Sequence, residues 1–428
     1  MRKVFWLKYE TNSFKGKLVD YNIKINIFNG ILATVALNLV NPYLAKFAER
    51  LGATDYQIAY LTSLPHFVSI FAFIPGAILI ESFRNKKNIT SSIMLLHKMF
   101  YLLLAFVPFF KGVDRAALFV TLVGLMNLPG SIGTMGYQSS IGDIFLPEDR
   151  GRAMGLRNRY GTIFGMIATF LSGQILARLP STNKQAICLY QIFFVIAFLV
   201  STGEVVFYTK FRGIKKRKKG SSKYVESLKK TIKNIPNEKD FIIFALCSLF
   251  FHVGWMAAQP LFSIYTIKVL KANEIWLSTI SIASSLSSII AYTKWAKFAD
   301  KKGNSLALSI AIVGMGVTPL LYALSNSIKM LVLFNIIIGI SAAGTNLILF
   351  NILLEVTPKE NRTIYIALYN TFIAIVSAIS PILGIALKDA TNIKVALVMV
   401  GALRFIASIF FFLRNKYNKK KKILAQAN

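Results

Sequence analysis

Apolar runs of roughly 20 residues follow one another along almost the whole chain, with short polar turns between them. At about 1.5 Å per residue, such a run crosses roughly 30 Å of hydrocarbon as a helix. The pattern predicts helices near 25–48, 56–80, 89–110, 116–143, 156–178 and 185–208, then near 241–269, 275–299, 305–324, 330–356, 363–387 and 395–413. One interval is long and polar, 209–240, which carries "KFRGIKKRKKGSSKYVESLKKTIKNIPNEKD". It splits the twelve spans into six and six. The expectation is an all-α membrane protein with an N-terminal segment 1–24, a six-helix bundle 25–208, a basic linker 209–240, a second bundle 241–414 and a basic tail 415–428.

Composition agrees with that pattern. Of the 428 residues, 55% are hydrophobic and only 16% charged, against about a quarter charged in an ordinary soluble domain. The net charge of +32 raises nucleic-acid binding, but that needs a basic face on a soluble domain and the pattern leaves no room for one. Topology accounts for the excess. With both termini inside, the inner segments hold 35 of the 50 Lys and Arg residues, as the positive-inside rule requires. Four of these, Arg150, Arg152, Arg157 and Arg159, are counted with the inner segment after the fourth span, the last two at the inner end of the fifth. Cys188 and Cys247 lie in apolar runs and read as packing residues. The first residues lack the apolar core of a removable signal peptide. Phe5 and Trp6, among lysines, are expected to rest on the inner membrane surface.

The halves repeat each other. A slide of 218 residues lays Asn41, Pro42 and Asp55 on Gln259, Pro260 and Asn273. A slide of 212 lays Asp143, Arg150 and Asn158 on Glu355, Arg362 and Asn370. The turn "AKFADKKGN", with Asp300, Lys301 and Gly303, resembles the loop between the second and third helices of a half in the major facilitator superfamily. "GAILIESFRNKK", with Glu81 as the acid, is a degraded copy, and "PEDRGRAMG" and "PKENRTIYIA" resemble that family's loops after helices 4 and 10. The likeness implies the major facilitator fold, two pseudo-symmetric six-helix bundles that rock about a central cavity. It also implies a cytoplasmic latch, with Glu81, Asp143 and Arg150 in one half facing Asp300, Glu355 and Arg362 in the other. Ion pairs of that kind are worth about 1 kcal/mol each, enough to bias two nearly equal states.

Polar residues inside spans are functional candidates. In the seventh span Ser248, His252, Trp255 and Gln259 recur at helical spacing on one face. The 218-residue slide lays them on Gly30, Thr34, Leu37 and Asn41, and Asn38 extends that face. Asn127, Ser131, Thr134 and Gln138 repeat the pattern in the fourth span, answered by Asn346 in the tenth. The family places helices 1, 4, 7 and 10 around the cavity, so Thr34, Asn38, Asn41, Asn127, Thr134, Gln138, His252, Trp255, Gln259 and Asn346 are the expected substrate-binding residues. No Asp or Glu lies mid-span in these helices, which argues against a proton-coupled exporter of cations and leaves His252 as the candidate for proton coupling. Lys98 and Arg404 are expected to snorkel to the inner headgroups. Pro42 and Pro260 should kink their spans near the outer ends, and Pro129 should loosen the fourth. Gly161 and Gly165 suggest close helix contact.

The expected activity is transport of a small neutral or amphipathic solute across a cell membrane, that of a bacterial inner membrane, by a monomer. The linker could bind anionic lipid through "KKRKKGSSK", and a lipid-handling or signalling protein on the same fold is the alternative. No Gly-rich phosphate loop with lysine, His-Glu-x-x-His or Cys-x-x-Cys occurs. No enzyme activity, metal, cofactor or nucleic-acid partner is therefore expected.

Overall fold

In a computed structural model the chain is described over residues 14–83, 85–214, 230–358 and 362–427. The Phe5/Trp6 expectation and the "KKRKKGSSK" part of the linker lie outside these residues, as do the side chains of Glu81 and Arg362. The helices are α1 (Phe14–Val40, continuing through the 3-10 turn Asn41–Tyr43 into Leu44–Arg50), α2 (Asp55–Ser82), α3 (Lys86–Phe106), α4 (Arg115–Leu125 and Asn127–Ile144), α5 (Pro147–Arg178) and α6 (Asn183–Thr209). After the linker come α7 (Lys239–Ile264, ending in a π turn Tyr265–Val269), α8 (Glu274–Lys302), α9 (Asn304–Leu324), α10 (Ile328–Val356), α11 (Arg362–Ala390) and α12 (Ile393–Ala427). Among the described residues eleven helical stretches are long and apolar enough to cross a membrane, and α2, 28 residues long, runs alongside them.

Local chemistry explains where the helices start and break. Thr54 with Gln57 and Thr182 with Gln185 form capping boxes at the starts of α2 and α6, while Asn273 and Ser327 cap α8 and α10. Pro129 has no N–H for the carbonyl four residues back, and α4 breaks at Met126. Pro42 has the same effect at the 3-10 turn of α1, where Thr169 Oγ1 donates to Asn38 Oδ1 at 3.0 Å and lies 3.4 Å from its carbonyl. Gly303 ends α8 at φ +87°, a conformation that L side chains rarely adopt. Two ends differ from expectation. α1 begins at Phe14, ahead of residue 25, and α12 runs on to Ala427 through the basic tail. Both extensions consist mostly of good helix formers with no proline to stop them.

The termini and linker ends share one face of the bundle pair, here the linker side; the opposite face is the far side. Within the first bundle α1 packs on α5 and α6, and within the second α8 packs on α10 and α9 on α12. Gly161 and Gly165 let α1 approach closely: a Cβ on either would fall 2.7–2.8 Å from the Thr34 or Asn38 side chains. The bundles meet through α2 with α11 and α5 with α8. On the far side one apolar core runs through both, joining Tyr43, Phe47 and Phe119 to Leu261, Ile264 and Tyr322. On the linker side the core divides in two. One part (Ile23, Tyr137, Phe145, Tyr208) belongs to the first bundle and the other (Phe244, Phe251, Ile352, Phe411) to the second.

The two intramembrane cations do not snorkel. Lys98 on α3 pairs with Glu204 on α6 at 2.8 Å, both about nine-tenths buried. Arg404 is fully buried among α12, α7 and α9. Each finds partners on neighbouring helices, so neither needs the headgroups. Trp295 likewise donates Nε1–H to the Ile340 carbonyl at 2.9 Å, linking α8 to α10. Removing one partner of a buried pair leaves an uncompensated charge, at roughly 3–5 kcal/mol. Lys98→Met should therefore lower thermal stability in detergent strongly. Lys98→Met combined with Glu204→Gln should recover most of the loss, and additive losses in that cycle would contradict a direct pair.

Candidate functional site

The strongest polar contacts between bundles cluster at the far side. Thr54 and Asn273 cap α2 and α8 at positions the 218-residue slide brings within one residue of each other, so Asp55 and Glu274 each occupy a first helical turn, where the dipole favours an acid. Each acid then reaches across. Glu274, only 1% exposed, accepts from Arg50 Nε and Nη2 at 3.0 and 2.7 Å and from Tyr190 Oη at 3.0 Å. Arg50 Nη1 also donates to Asn183 Oδ1 at 3.0 Å. Asp55 takes Lys268 at 2.6 Å on one oxygen and Lys388 at 2.8 Å on the other. Two acids at matching points of the repeat thus hold the bundles together reciprocally.

The residues expected to form a linker-side latch are arranged differently. Asp143 pairs with Lys86 at 2.8 Å, and Lys86 also donates to Ser139 at 2.6 Å. Arg150 donates to the carbonyls of Phe145 and Gly142. Glu355 accepts from Asn304, and Asp300 is exposed. Lys86 and Asn304 are equivalent under the 218-residue slide, as Asp143 and Glu355 are under the other. Each acid therefore ties its own bundle's 2–3 or 8–9 turn. Among the described residues no ion pair joins Asp143 or Arg150 to Asp300 or Glu355 across the bundles in this conformation. The signal for the far-side pairs was present in the sequence, as an acid just after a cap residue in both the second and eighth spans.

Beneath the far-side contacts lies a cavity of about 390 Å³, lined by Leu37, Asn38, Asn41 and Pro42 of α1 and by Ser281 of α8. It contains two of the expected binding residues and both bundles contribute to it. A larger groove of about 600 Å³, with Trp295, Ile336 and Ile340 in its wall, lies on α8, α9 and α10 and belongs to the second bundle alone. Elsewhere the polar stripe serves partly as scaffold. Thr34 Oγ1 donates to the Gly30 carbonyl, Asn38 Nδ2 to Thr34, Asn127 Nδ2 to Val123 and Thr134 Oγ1 to Gly130, each four residues back. Thr134, Gln138 and Asn346 remain exposed. His252 is 7% exposed; its Nδ1–H donates to the Ser248 carbonyl at 2.7 Å, and its ring lies 5.3 Å from that of Trp255. That bond leaves Nε2 as the free nitrogen. Gln259 is half-buried with no side-chain hydrogen bond among the described residues.

One side chain counted with the inner charges belongs to the wall of the first bundle. Arg157 lies within α5, and its stem crosses α1 at Gly30, where an added Cβ would sit 2.2 Å from Arg157 Cγ. Its guanidinium carbon is 4.9 Å from the centroid of the Tyr137 ring on α4. The readable sign was Gly30, a gap in an otherwise polar stripe. The partner that fills the gap comes from a distant helix and could not be read from spacing.

The model of the Major Facilitator Superfamily matches residues 27–273 and 244–427. No curated protein matches the sequence. Among solved structures, a mutant of the nucleoside transporter NupG superposes with a TM-score of 0.67 at 14% identity, covering 91% of this chain and 99% of that one. A bacterial homologue of the human lysosomal transporter Spinster, inward-facing and unoccupied, gives 0.65 at 14% identity over 96% and 98%. A POT family transporter with a thioalcohol-conjugated peptide gives 0.68 at 11% identity over 93% and 96%.

Proposed function

The chain belongs to the major facilitator superfamily, and from that premise we propose that it carries a small amphipathic solute across the cell membrane by rocker-switch alternating access. The state described is inward-facing, with the linker side cytoplasmic. The observation that carries this reading is the division of the apolar core, continuous through both bundles on the far side and split in two on the linker side. The reciprocal pairs of Asp55 and Glu274 act as an outer latch in this state. Opening the far side requires breaking them, and the same motion brings the linker-side turns together. Asp143, Arg150, Glu355 and Asp300 are then available as the opposite latch. Solute enters between the two linker-side cores and meets His252, Trp255 and Gln259 on one wall and Thr34, Asn38 and Asn41 on the other. A nucleoside transporter and a transporter holding a conjugated peptide, both of the same fold, support a solute with polar and apolar parts. The protein acts as a monomer in the plasma membrane, that of a bacterial inner membrane, with the linker against anionic lipid.

The test is uptake of labelled nucleosides, dipeptides, amino acids and sugars into proteoliposomes, followed by binding to His252→Ala and Gln259→Ala. At least one solute should accumulate or equilibrate, and both variants should bind it about tenfold or more weakly, as expected for a lost hydrogen bond in a desolvated site. Wild-type affinity in both variants would move the site elsewhere. Movement of labelled lipid without any solute flux would replace transport with the lipid-handling alternative.

A further inference from the structure

The internal repeat offers a control for every side chain, since a residue needed only for packing should have a counterpart of similar chemistry in the other half. Around Arg157 it does not. The two slides carry Asn26, Gly30, Tyr137 and Arg157 onto Phe244, Ser248, Leu349 and Tyr369. In the second bundle none of these four is charged; the nearby cation, Arg414 of α12, lies 5.3 Å from the centroid of the Phe244 ring and comes from outside the four positions. Tyr369 and Ser248 share a hydrogen bond, Tyr369 stacks on Phe244 with centroids 5.7 Å apart, and Phe244 and Leu349 belong to one apolar core. In the first bundle the same positions hold a cation and hydrogen-bonding groups. Tyr137 Oη donates to Asn26 Oδ1 at 2.6 Å, and Asn26 Nδ2 donates to the Ala153 carbonyl at 3.1 Å. Arg157 lies against the Tyr137 ring with its stem in the Gly30 gap.

Arg157 has no ion pair among the described residues, and its Nε is buried with no hydrogen-bond acceptor. Among the described residues two other buried cations of the spans are satisfied, Lys98 by Glu204 and Arg404 by three carbonyls and a hydroxyl, while Arg414 near the linker-side end of α12 donates to Ser305 Oγ at 3.4 Å. A half-buried guanidinium inside a span faces a water-filled interior and not lipid. Its fork matches an oxyanion with two parallel N–H donors. From these observations we infer that Arg157, positioned by Gly30 and Tyr137, is an oxyanion subsite in the wall of the first bundle. The solute therefore carries a carboxylate or phosphate group. This rests on the transport reading above and names the polar end of its amphipathic solute. The expectation of a neutral or amphipathic solute narrows to one with an anionic end.

Matched solute pairs test it: benzoate with benzamide, N-acetyl-leucine with its amide, and uridine monophosphate with uridine. Each is titrated against the thermal unfolding of the purified full-length protein. The anionic member of at least one pair should stabilise the wild type at concentrations tenfold or more below its uncharged partner. The first two pairs report a carboxylate and the third a phosphate. Arg157→Gln should abolish that gap, Arg157→Lys should keep part of it, and Tyr369→Phe should leave it intact. Should Arg157→Gln fail to fold, Gly30→Ala, which displaces the arginine stem, must narrow the gap instead. The subsite is overturned if no anion is preferred, or if the gap survives in Arg157→Gln or in the folded Gly30→Ala. Flux of uncharged members into proteoliposomes with no anion preference would sink the subsite alone. Anion binding that depends on Arg157 without any flux would sink transport and leave the subsite standing.

Discussion

Glu274→Ala should swing the population of this protein away from the far-side-closed state. The carboxylate is 1% exposed and accepts three hydrogen bonds, from Arg50 twice and from Tyr190. All three donors belong to the other bundle, so the contacts exist only while the far side is shut. Breaking a buried pair costs roughly 3–5 kcal/mol. Arg50 keeps 21% of its side chain exposed and can rehydrate, which reduces the effect to about 2 kcal/mol, or roughly thirtyfold in a two-state ratio. Energy transfer between labels at Lys184 and Lys329, on a background with Cys188 and Cys247 replaced by serine, reads the opening of the far side directly. Transfer should fall in Glu274→Ala. It should stay unchanged in Glu49→Gln, because among the described residues Glu49 pairs only within its own helix, with Lys46 at 3.0 Å. An unchanged distribution in Glu274→Ala would remove the outer latch from the mechanism.

Arg404→Ala should produce the largest loss of stability. The guanidinium is fully buried and spends its donors on four acceptors: the carbonyls of Gly254 at 3.0 Å, Met315 at 2.8 Å and Trp255 at 3.1 Å, and Thr318 Oγ1 at 2.7 Å. It also lies 5.6 Å from the centroid of the Phe262 ring. Truncation removes these charge-assisted bonds and leaves a cavity where three helices meet. Deletions of buried side chains of this size cost about 3–5 kcal/mol. Arg404→Lys should lose most of the same stability, because one ammonium cannot reach acceptors on both α7 and α9. A fall of roughly 5 °C or more in the unfolding midpoint is the expected reading, and a midpoint within a degree of wild type in Arg404→Ala would show that the carbonyls do not need it. Two of the four acceptors are the carbonyls of Gly254 and Trp255 on α7, so the same arginine fixes the helix that carries His252 and Gln259.

The reading of the sequence succeeded wherever a local rule is strong enough to act alone. Hydrocarbon must be crossed by a continuous hydrogen-bonded backbone, so the length of each apolar run determined the helices and the basic interval at 209–240 determined their division. Caps such as Thr54 and Asn273 determined where α2 and α8 begin, and prolines at 42 and 129 determined where α1 and α4 bend. The repeat was legible because the same local rules act twice. Partner choice was decided only by the tertiary structure. Asp143 and Glu355 were expected to reach across the bundles, yet each is held by its own bundle's turn. Asp55 and Glu274, which passed unremarked, make the crossing. Lys98 and Arg404 were expected at the headgroups and instead found partners on helices remote in the chain. Arg157 was counted only as an inner charge and lies against Gly30 and Tyr137. The physical reason is the same in each case. A charge in a membrane protein is settled by whichever partner the folded helices bring within about 3 Å, and these partners, 51 to 224 residues away in sequence, meet only once the helices have packed.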